Sequence, residues 1–356
     1  MASTLANAHG GTWALYGATG VTGRIILERA LSRGHRPTLI GRNPLAMEAS
    51  AAPHGLASKC AELHDAVGLT EALRGHRLVL NAAGPFSLTA EPIIAAALAA
   101  GTDYLDVNGE LLVLDSMLAM DQRARDRGVR LIGGVGFGVA AADGLVAQVI
   151  RILGGADALR ISVAADSGFS SKAVAESTIE VLAAGGYEVD RGKLQRRRIA
   201  RQRWFQEQGA DARIAFASAP LAELAAARRI APTARVTAGV PMAHSRAAVL
   251  SLVGPLLPHL LKVPAVRRLL KRTGGHAGGD AGKFHQSRVW VDGWLQGRRA
   301  SARLQAGEGF AVAADIAVCA VEAALAKRAD PGAHTPASAF GPDFITTIPG
   351  VQTAMD

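Results

Sequence analysis

Leu15–Arg24 reads LYGATGVTGR, an apolar run followed by Gly17, Gly20 and Gly23 at three-residue spacing. The run begins near Thr12 as a short strand, and the segment from Gly23 to Arg33 has helix-forming composition. A Gly34-His35 stop and a second apolar run, PTLIG, ending at Gly41, complete one βαβ unit in about 30 residues. In that context each glycine has a task. Gly17 permits the tight turn, Gly20 lets backbone N–H groups approach a pyrophosphate, and Gly23 lets the helix lie close to the sheet. Ala18 and Val21 complete the turn, while Thr19 and Thr22 offer hydroxyls to phosphate oxygens. Residues 17–23 therefore read as a dinucleotide-binding turn; the plainer reading is a glycine turn with a structural role only.

The alternation continues outward. A helix is expected from Pro44 to Ala52, a strand in SKCAEL, a short helix in GLTEALRG and a buried strand in RLVLNAAG. Then come a helix from Thr89 to Ala100, a strand in TDYLDVNG, a helix from Leu112 to Arg127 and a strand in VRLIGG. Regular β/α alternation specifies an α/β fold with a Rossmann-type, doubly wound parallel sheet, here assigned to residues 1–138. Beyond Gly138 the pattern changes. A helix from Ala141 to Leu153, a strand ALRISVAAD, a helix in GFSSKAVAESTIEVLAAGG and β-like runs ARIAFAS, SRVWVDGWL and ASARLQA imply a second, α+β domain over 139–310, with an antiparallel sheet. It would serve substrate binding or dimerisation. The helix FAVAADIAVCAVEAALAKR and a Pro/Gly-rich tail, 311–356, are expected to pack back on the first domain.

With 356 residues, 49% of them apolar and 19% charged, the chain has room for two cores. Its net charge of +9 is clustered: Arg196, Arg197, Arg198, Arg201 and Arg203 in one group, Arg267, Arg268, Lys271 and Arg272 in another. A basic balance suits nucleic acid, anionic lipid or a phosphorylated ligand, and a solvated helix face is the plainer reading of both clusters; no helix-turn-helix, zinc-finger or RNA-binding signature accompanies them, so a nucleic-acid partner is not expected. Two cysteines, Cys60 and Cys319, lack metal or redox-pair spacing, and the N-terminal stretch lacks the basic flank of a signal peptide. Those features lead to an expectation of a cytoplasmic protein without a metal site. The uncharged run Ala247–Leu261 holds Pro255 and Pro258 in 15 residues, too short and broken to span a bilayer. Core, a homodimer face or a peripheral membrane contact are its alternatives.

The second strand of an NAD site normally ends in an acid that accepts the ribose hydroxyls; here it ends in Gly41-Arg42-Asn43. Arginine there suits a 2′-phosphate, so NADP(H) is the expected cofactor, with Arg42 and Asn43 at its ribose end. Asp65, just past the third strand, could reach the adenine amino group or simply serve as a turn residue. None of the three tyrosines starts a Tyr-x-x-x-Lys motif, which excludes short-chain-reductase chemistry; HExxH, CxxC and GxSxG motifs are also missing. What remains lies at the carboxyl ends of the later strands. Ala83, Gly84, Pro85 and Phe86 would line the nicotinamide side, and Tyr104, Asp106 and Glu110 are the candidate catalytic residues. The two acids could donate a proton, hold a water, bind a cationic substrate or only brace a loop.

Four motifs, Gly17–Gly23, Gly41-Arg42, NAAGPF over Asn81–Phe86 and AGTDYLDVNGE over Ala100–Glu110, together resemble the saccharopine dehydrogenase-like NADP-binding oxidoreductases. Members of that family often carry Gly-Phe-Asp-Ser-x-Pro-x-Asp further on; here Gly138 and Ala141 stand at the first Asp and the Pro, while Asp143 keeps the last acid. The resemblance implies an NADPH-dependent reductase transferring hydride to an activated C=C (enoyl) or C=N (imine) bond of a small-molecule or carrier-bound substrate held in a cleft between domains, and the apolar segment Leu250–Leu261 would suit an apolar or carrier-bound one. A saccharopine-reductase-like amino-acid dehydrogenase and a non-enzymatic NADP(H)-binding regulator are the alternatives.

Overall fold

The computed structural model describes residues 10–165, 185–207, 213–254, 286–326 and 329–356. In chain order the first elements are β1 (Gly10–Tyr16), α1 (Val21–Ser32), β2 (Arg36–Gly41), α2 (Pro44–Ala51), β3 (Ser58–Cys60), α3 (Ala66–Leu73), β4 (Leu78–Asn81) and α4 (Phe86–Ala100). They continue with β5 (Asp103–Asp106), α5 (Leu111–Leu118), α6 (Asp121–Asp126) and β6 (Arg130–Ile132). Then follow α7 (Phe137–Leu153), β7 (Ala158–Ala164), β8 (Gly186–Asp190), β9 (Lys193–Arg197), β10 (Arg203–Glu207), β11 (Arg213–Ser218), α8 (Glu223–Ile230), β12 (Arg235–Pro241) and α9 (His244–Val253). The last are β13 (Ser287–Leu295), β14 (Arg298–Ala306), α10 (Gly309–Leu325), β15 (Gly332–His334), α11 (Pro336–Phe340) and β16 (Gln352–Met355).

The chain divides into two compact units. One takes residues 1–108, 113–137 and 310–341, and the other takes 109–112, 138–309 and 342–356. In the first unit the described residues form a seven-stranded sheet of order β15-β6-β5-β4-β1-β2-β3, every pairing parallel. A parallel sheet is covered on both faces, which is why β4 (LVLN) is buried at every position. Gly23, Ile26, Leu27 and Ala30 make the buried stripe of α1, at helical spacing. The order reverses between β4 and β1, and in open α/β sheets ligands bind outside the carboxyl ends of the strands at such a point.

The single helix expected over 112–127 is two. Met120 N–H bonds back to Met117 O at 3.0 Å, closing α5 with a tight turn, and Asp121 opens α6. Asp121 Oδ1 accepts the Ala333 N–H at 2.8 Å and thereby ties down β15, a strand the Pro/Gly-rich composition of that segment concealed. The α10 helix is joined to α1 and the turn after it by Arg29–Asp315 at 2.9 Å and Arg33–Glu322 at 2.7 Å.

The second unit is built on a nine-stranded sheet among the described residues, with β10-β11-β12-β7-β13-β14-β16 as its path and β8 and β9 attached beside β12. It is mixed rather than antiparallel, because β12 runs parallel to β7. Three of its strands, β8 to β10, occupy the arginine-rich region. Arg196 and Arg197 lie on β9 and Arg203 on β10, so this cluster belongs to strands and their connection and not to a helix face. Residues 342–356, expected with the first domain, return to the second, where β16 pairs with β14. The helix expected in 168–186, the end of the apolar run at 255–261 and the Arg267–Arg272 cluster lie outside the described residues, apart from the first residues of β8. Among the described residues no helix is long and apolar enough to cross a membrane.

Asp121→Ala leaves the Ala333 N–H without its acceptor and is expected to cost about 1–3 kcal/mol in urea unfolding. Faster amide exchange confined to 332–334 and their neighbours on β6 would locate the loss.

Candidate functional site

The carboxyl edge of the first sheet is organised by the approach of the β1 turn to the β4 turn. Gly17 has φ +94°, and a Cβ there would stand 2.8 Å from both the Cβ and the N of Ala83. At Gly23 a Cβ would lie 2.1 Å from the Gly17 carbonyl oxygen. Both glycines are therefore required by the protein's own packing. Gly20 is different: its φ is −74°, and a Cβ would meet only Gly17 O, at 3.4 Å. It is exposed, as are Thr19 and Val21, so its bareness keeps clear the space above the start of α1.

That helix start lacks any side-chain cap and any acid in its first turn. The other helices at this edge show the contrast. Asn43 Oδ1 caps α2 by accepting from Ala46 N at 3.1 Å, and Asp65 Oδ1 caps α3 by accepting from Gly68 N at 2.9 Å. Helix α4, which follows β4, resembles α1 in lacking a side-chain cap and a first-turn acid. The two helices flanking the switch point thus present their positive dipole ends without a built-in anion. Large apolar side chains stand exposed in the first turns of all four helices: Val21 (41%), Leu45 (77%), Val67 (75%) and Leu88 (66%).

At the end of β2, Arg42 is exposed and has no carboxylate partner among the described residues. Its charge acts on Tyr16, whose phenol burial pushes up and Arg42 pulls partly back down. Of the acceptor atoms expected to face an adenosine, Asn43 and Asp65 each spend one carbonyl or carboxylate oxygen on helix capping, the turn role weighed for Asp65.

Behind the turns lies a closed polar chain. Asn81 Oδ1 accepts from Ala83 N at 3.0 Å, and Asn81 Nδ2 donates to Thr89 Oγ1 and to Tyr104 OH, both at 3.2 Å. Tyr104 OH donates to Asp106 Oδ2 at 2.9 Å, and Asp106 Oδ1 accepts from Asn108 N at 3.1 Å and Gly134 N at 2.8 Å. Asn81, Tyr104 and Asp106 are all buried, and burial followed by the Asp106 charge raises the Tyr104 phenol well above its ordinary value. The structure thus places two of the three candidate catalytic side chains in the interior, where they fix the loops after β4, β5 and β6. Glu110, half-buried, belongs to the second unit, where its backbone bridges to Leu221. Ala83, Pro85 and Phe86 are half-buried and Gly84 is exposed, across a cis Gly84–Pro85 bond.

Sequence reasoning missed Glu223. It opens α8, is buried, and burial pushes its carboxyl up to about 7, with its own backbone N–H pulling the other way. A Cβ on Gly138 would lie 2.4 Å from Glu223 Oε1. Gly138 is the position where the resembling family often carries Asp, so the Glu223 carboxyl occupies space that such a side chain would enter. Nothing local in PLAELAAARR signals this, because the first-turn acid of an Ala-rich helix is ordinarily solvated.

A turn of this geometry on a parallel sheet, with uncapped helix starts on either side of the switch point, defines a dinucleotide-binding domain. Residues 17–127 match the NAD(P)H-binding family. The chain is 29% identical over 140 residues to a saccharopine dehydrogenase-like oxidoreductase of Arabidopsis thaliana, a match covering 35% of this chain and 31% of that one. It is 32% identical over 131 residues to a trans-acting enoyl reductase of Mycobacterium ulcerans, again covering 35% and 31%. These matched segments span about a third of the length of the curated relatives. In structure the chain matches saccharopine dehydrogenase (L-Glu forming) of Saccharomyces cerevisiae with a TM-score of 0.63 at 13% identity, over 98% of this chain and 100% of that one. The saccharopine dehydrogenase-like resemblance read from the motifs is borne out by these relatives, and at 13% identity the structural match shows a similar fold.

Gly20→Ala separates a ligand-binding turn from a structural one. The added methyl is expected to cost less than about 1 kcal/mol of stability, yet to weaken NADPH binding at least tenfold in a fluorescence titration. For Glu223, protons are bound alike in folded and unfolded chains below pH 4.5; between 4.5 and about 7 only the unfolded chain ionises, so stability falls as pH rises. By pH 8 the loss is about 3 kcal/mol, and Glu223→Gln should remove that component when urea unfolding at pH 5 and pH 8 is compared with wild type.

Proposed function

We propose that the chain is an NADPH-dependent reductase acting on an activated C=C or C=N bond. The observation that carries this reading is the pairing of the Gly17–Gly23 turn, where an exposed Gly20 leaves clear the space over an uncapped helix start, with an Arg42 at the end of β2 whose side chain has no carboxylate partner among the described residues. The glycine turn and the α1 N-terminus would hold the pyrophosphate. Arg42 would take the 2′-phosphate through its guanidinium fork, a role no acid on that strand end competes with. Asp65, through its second carboxylate oxygen, and Asn43 would border the adenosine.

A dinucleotide bound there would supply the hydride from its nicotinamide. The chain's contribution is placement. The loop Ala83–Phe86, fixed through Asn81, Tyr104 and Asp106, would bound the nicotinamide side, and a rigid wall of this kind supplies rate through orientation. The proton that completes the reduction would come from solvent. The acceptor is proposed as an enoyl or imine group because the similar proteins are named trans-acting enoyl reductase and saccharopine dehydrogenase-like oxidoreductase. One observation favours a second reading, an NADP(H)-binding regulator without turnover: Tyr104 and Asp106, two of the three candidate catalytic side chains, are buried.

NADPH oxidation with an enoyl thioester or a preformed imine supports the reductase; saturable NADPH binding with no oxidation across such acceptors supports the regulator. Arg42→Ala is expected to weaken NADPH binding about tenfold or more while leaving NADH binding nearly unchanged, and an equal loss for both would overturn the 2′-phosphate assignment.

A further inference from the structure

In the second unit, β7 carries Arg160 and Ser162 on one face of the sheet, while Leu159, Ile161 and Val163 on the other are buried. Arg160 pairs in register with Asp292 on β13 and with Thr237 on β12. Its guanidinium carbon lies 5.5 Å from the ring centre of Trp204 and 5.2 Å from that of Trp294. An arginine opposite an aspartate on the neighbouring strand would ordinarily pair with it. Here the aspartate is already taken. Asp292 Oδ2 accepts from Gln206 Nε2 at 2.9 Å, and Oδ1 accepts from Arg299 at 2.8 Å and Ser301 Oγ at 2.7 Å. Burial alone would raise the Asp292 carboxyl; these three donors outweigh it and hold it below its usual value.

Trp204 Nε1 and Gln206 Nε2 are likewise committed, both donating to Ser162 Oγ, at 2.8 and 3.0 Å. Arg160 is left half-buried, with no carboxylate or hydrogen-bond acceptor among the described residues. Aromatic rings satisfy a guanidinium through its charge while leaving its in-plane N–H fork unused, and that fork matches an oxyanion bidentately. Strands on both sides hold the group, which gives it the rigidity a receptor needs.

We propose that Arg160, flanked by Trp204 and Trp294, is an oxyanion receptor that binds a carboxylate or phosphate group of a ligand on this face of the second sheet. The site takes a bidentate anion by its geometry, and it functions independently of the dinucleotide turn in the first unit. It does not rest on the reductase reading, since anion binding is measured without turnover.

The test is calorimetric titration of the full chain with glutarate and, separately, with inorganic phosphate, at constant ionic strength in chloride buffer. At least one should bind saturably, and Arg160→Gln should weaken that binding tenfold or more. Arg160→Lys, which keeps the charge and loses the fork, should recover only part of it. Glutarate binding lost in Arg160→Gln identifies a carboxylate ligand; phosphate binding lost identifies a phosphate ester. Far-UV circular dichroism and urea unfolding show that each variant is folded, and NADPH titration reports the cofactor reading separately. Absence of saturable binding of either anion to wild type, or equal binding by wild type and a folded Arg160→Gln, overturns the proposal.

Discussion

The turn after β1 lies so close to the turn after β4 that no side chain fits between Gly17 and Ala83, with 2.8 Å left for a Cβ. This contact sits where the strand order reverses, and the local organisation of the carboxyl edge follows from it. Ala82 N–H bonds to Tyr16 O at 2.9 Å, so the two strands leave the sheet tied together. Because Gly23 lets α1 descend onto Gly17 O, the first turn of that helix is brought to the same edge with its N–H groups uncapped. A helix start left in this condition is stabilised by an anion from outside. The cost of the missing cap is thus the counterpart of affinity for phosphate.

Support for that edge comes from residues that do not reach it. Every side-chain nitrogen and oxygen of Asn81, Tyr104 and Asp106 has a hydrogen-bond partner, and a satisfied buried network specifies a single loop arrangement. Asp106 joins the exits of two strands, because its carboxylate accepts from Asn108 and Gly134 while its carbonyl accepts from Val135 N–H. Polar residues in a motif at strand ends invite a chemical reading. In YLDVNGE the spacing has a mechanical cause: Tyr104 and Asp106 project from the same face of β5, two residues apart, and meet through one hydrogen bond of 2.9 Å.

Legibility in the sequence tracked the range of the interaction that decided each element. The glycine turn, Arg42 and the strand–helix alternation are encoded within a few residues, and the parallel sheet stands as read. The interior position of Tyr104 and Asp106 depends on Asn81 and Gly134, contacts made only once β4, β5 and β6 are side by side. β10 alternates exposed and buried along RWFQE, a strand pattern that its charged residues obscured. Its buried Trp204 and Gln206 earn their places by bonding Ser162 on β7, a strand that the path of the sheet separates from β10 by β11 and β12. At the break between α5 and α6, Asp121 likewise finds its partner, Ala333, far along the chain.

Two carboxylates of the second unit show how position decides charge there. Asp292 and Glu223 are both buried, yet three donors hold Asp292 below its usual value while burial raises Glu223 to about 7, with no cation acting on it among the described residues. The same contrast explains the departure at Gly138. An aspartate at that position would press a second carboxylate against Glu223 Oε1, in a setting where burial already opposes one charge. Glycine removes the steric conflict and the repulsion together. The departure from the family motif is therefore coupled to α8: the space vacated at the start of α7 is filled by an acid from another helix, one whose proton is retained close to neutral pH.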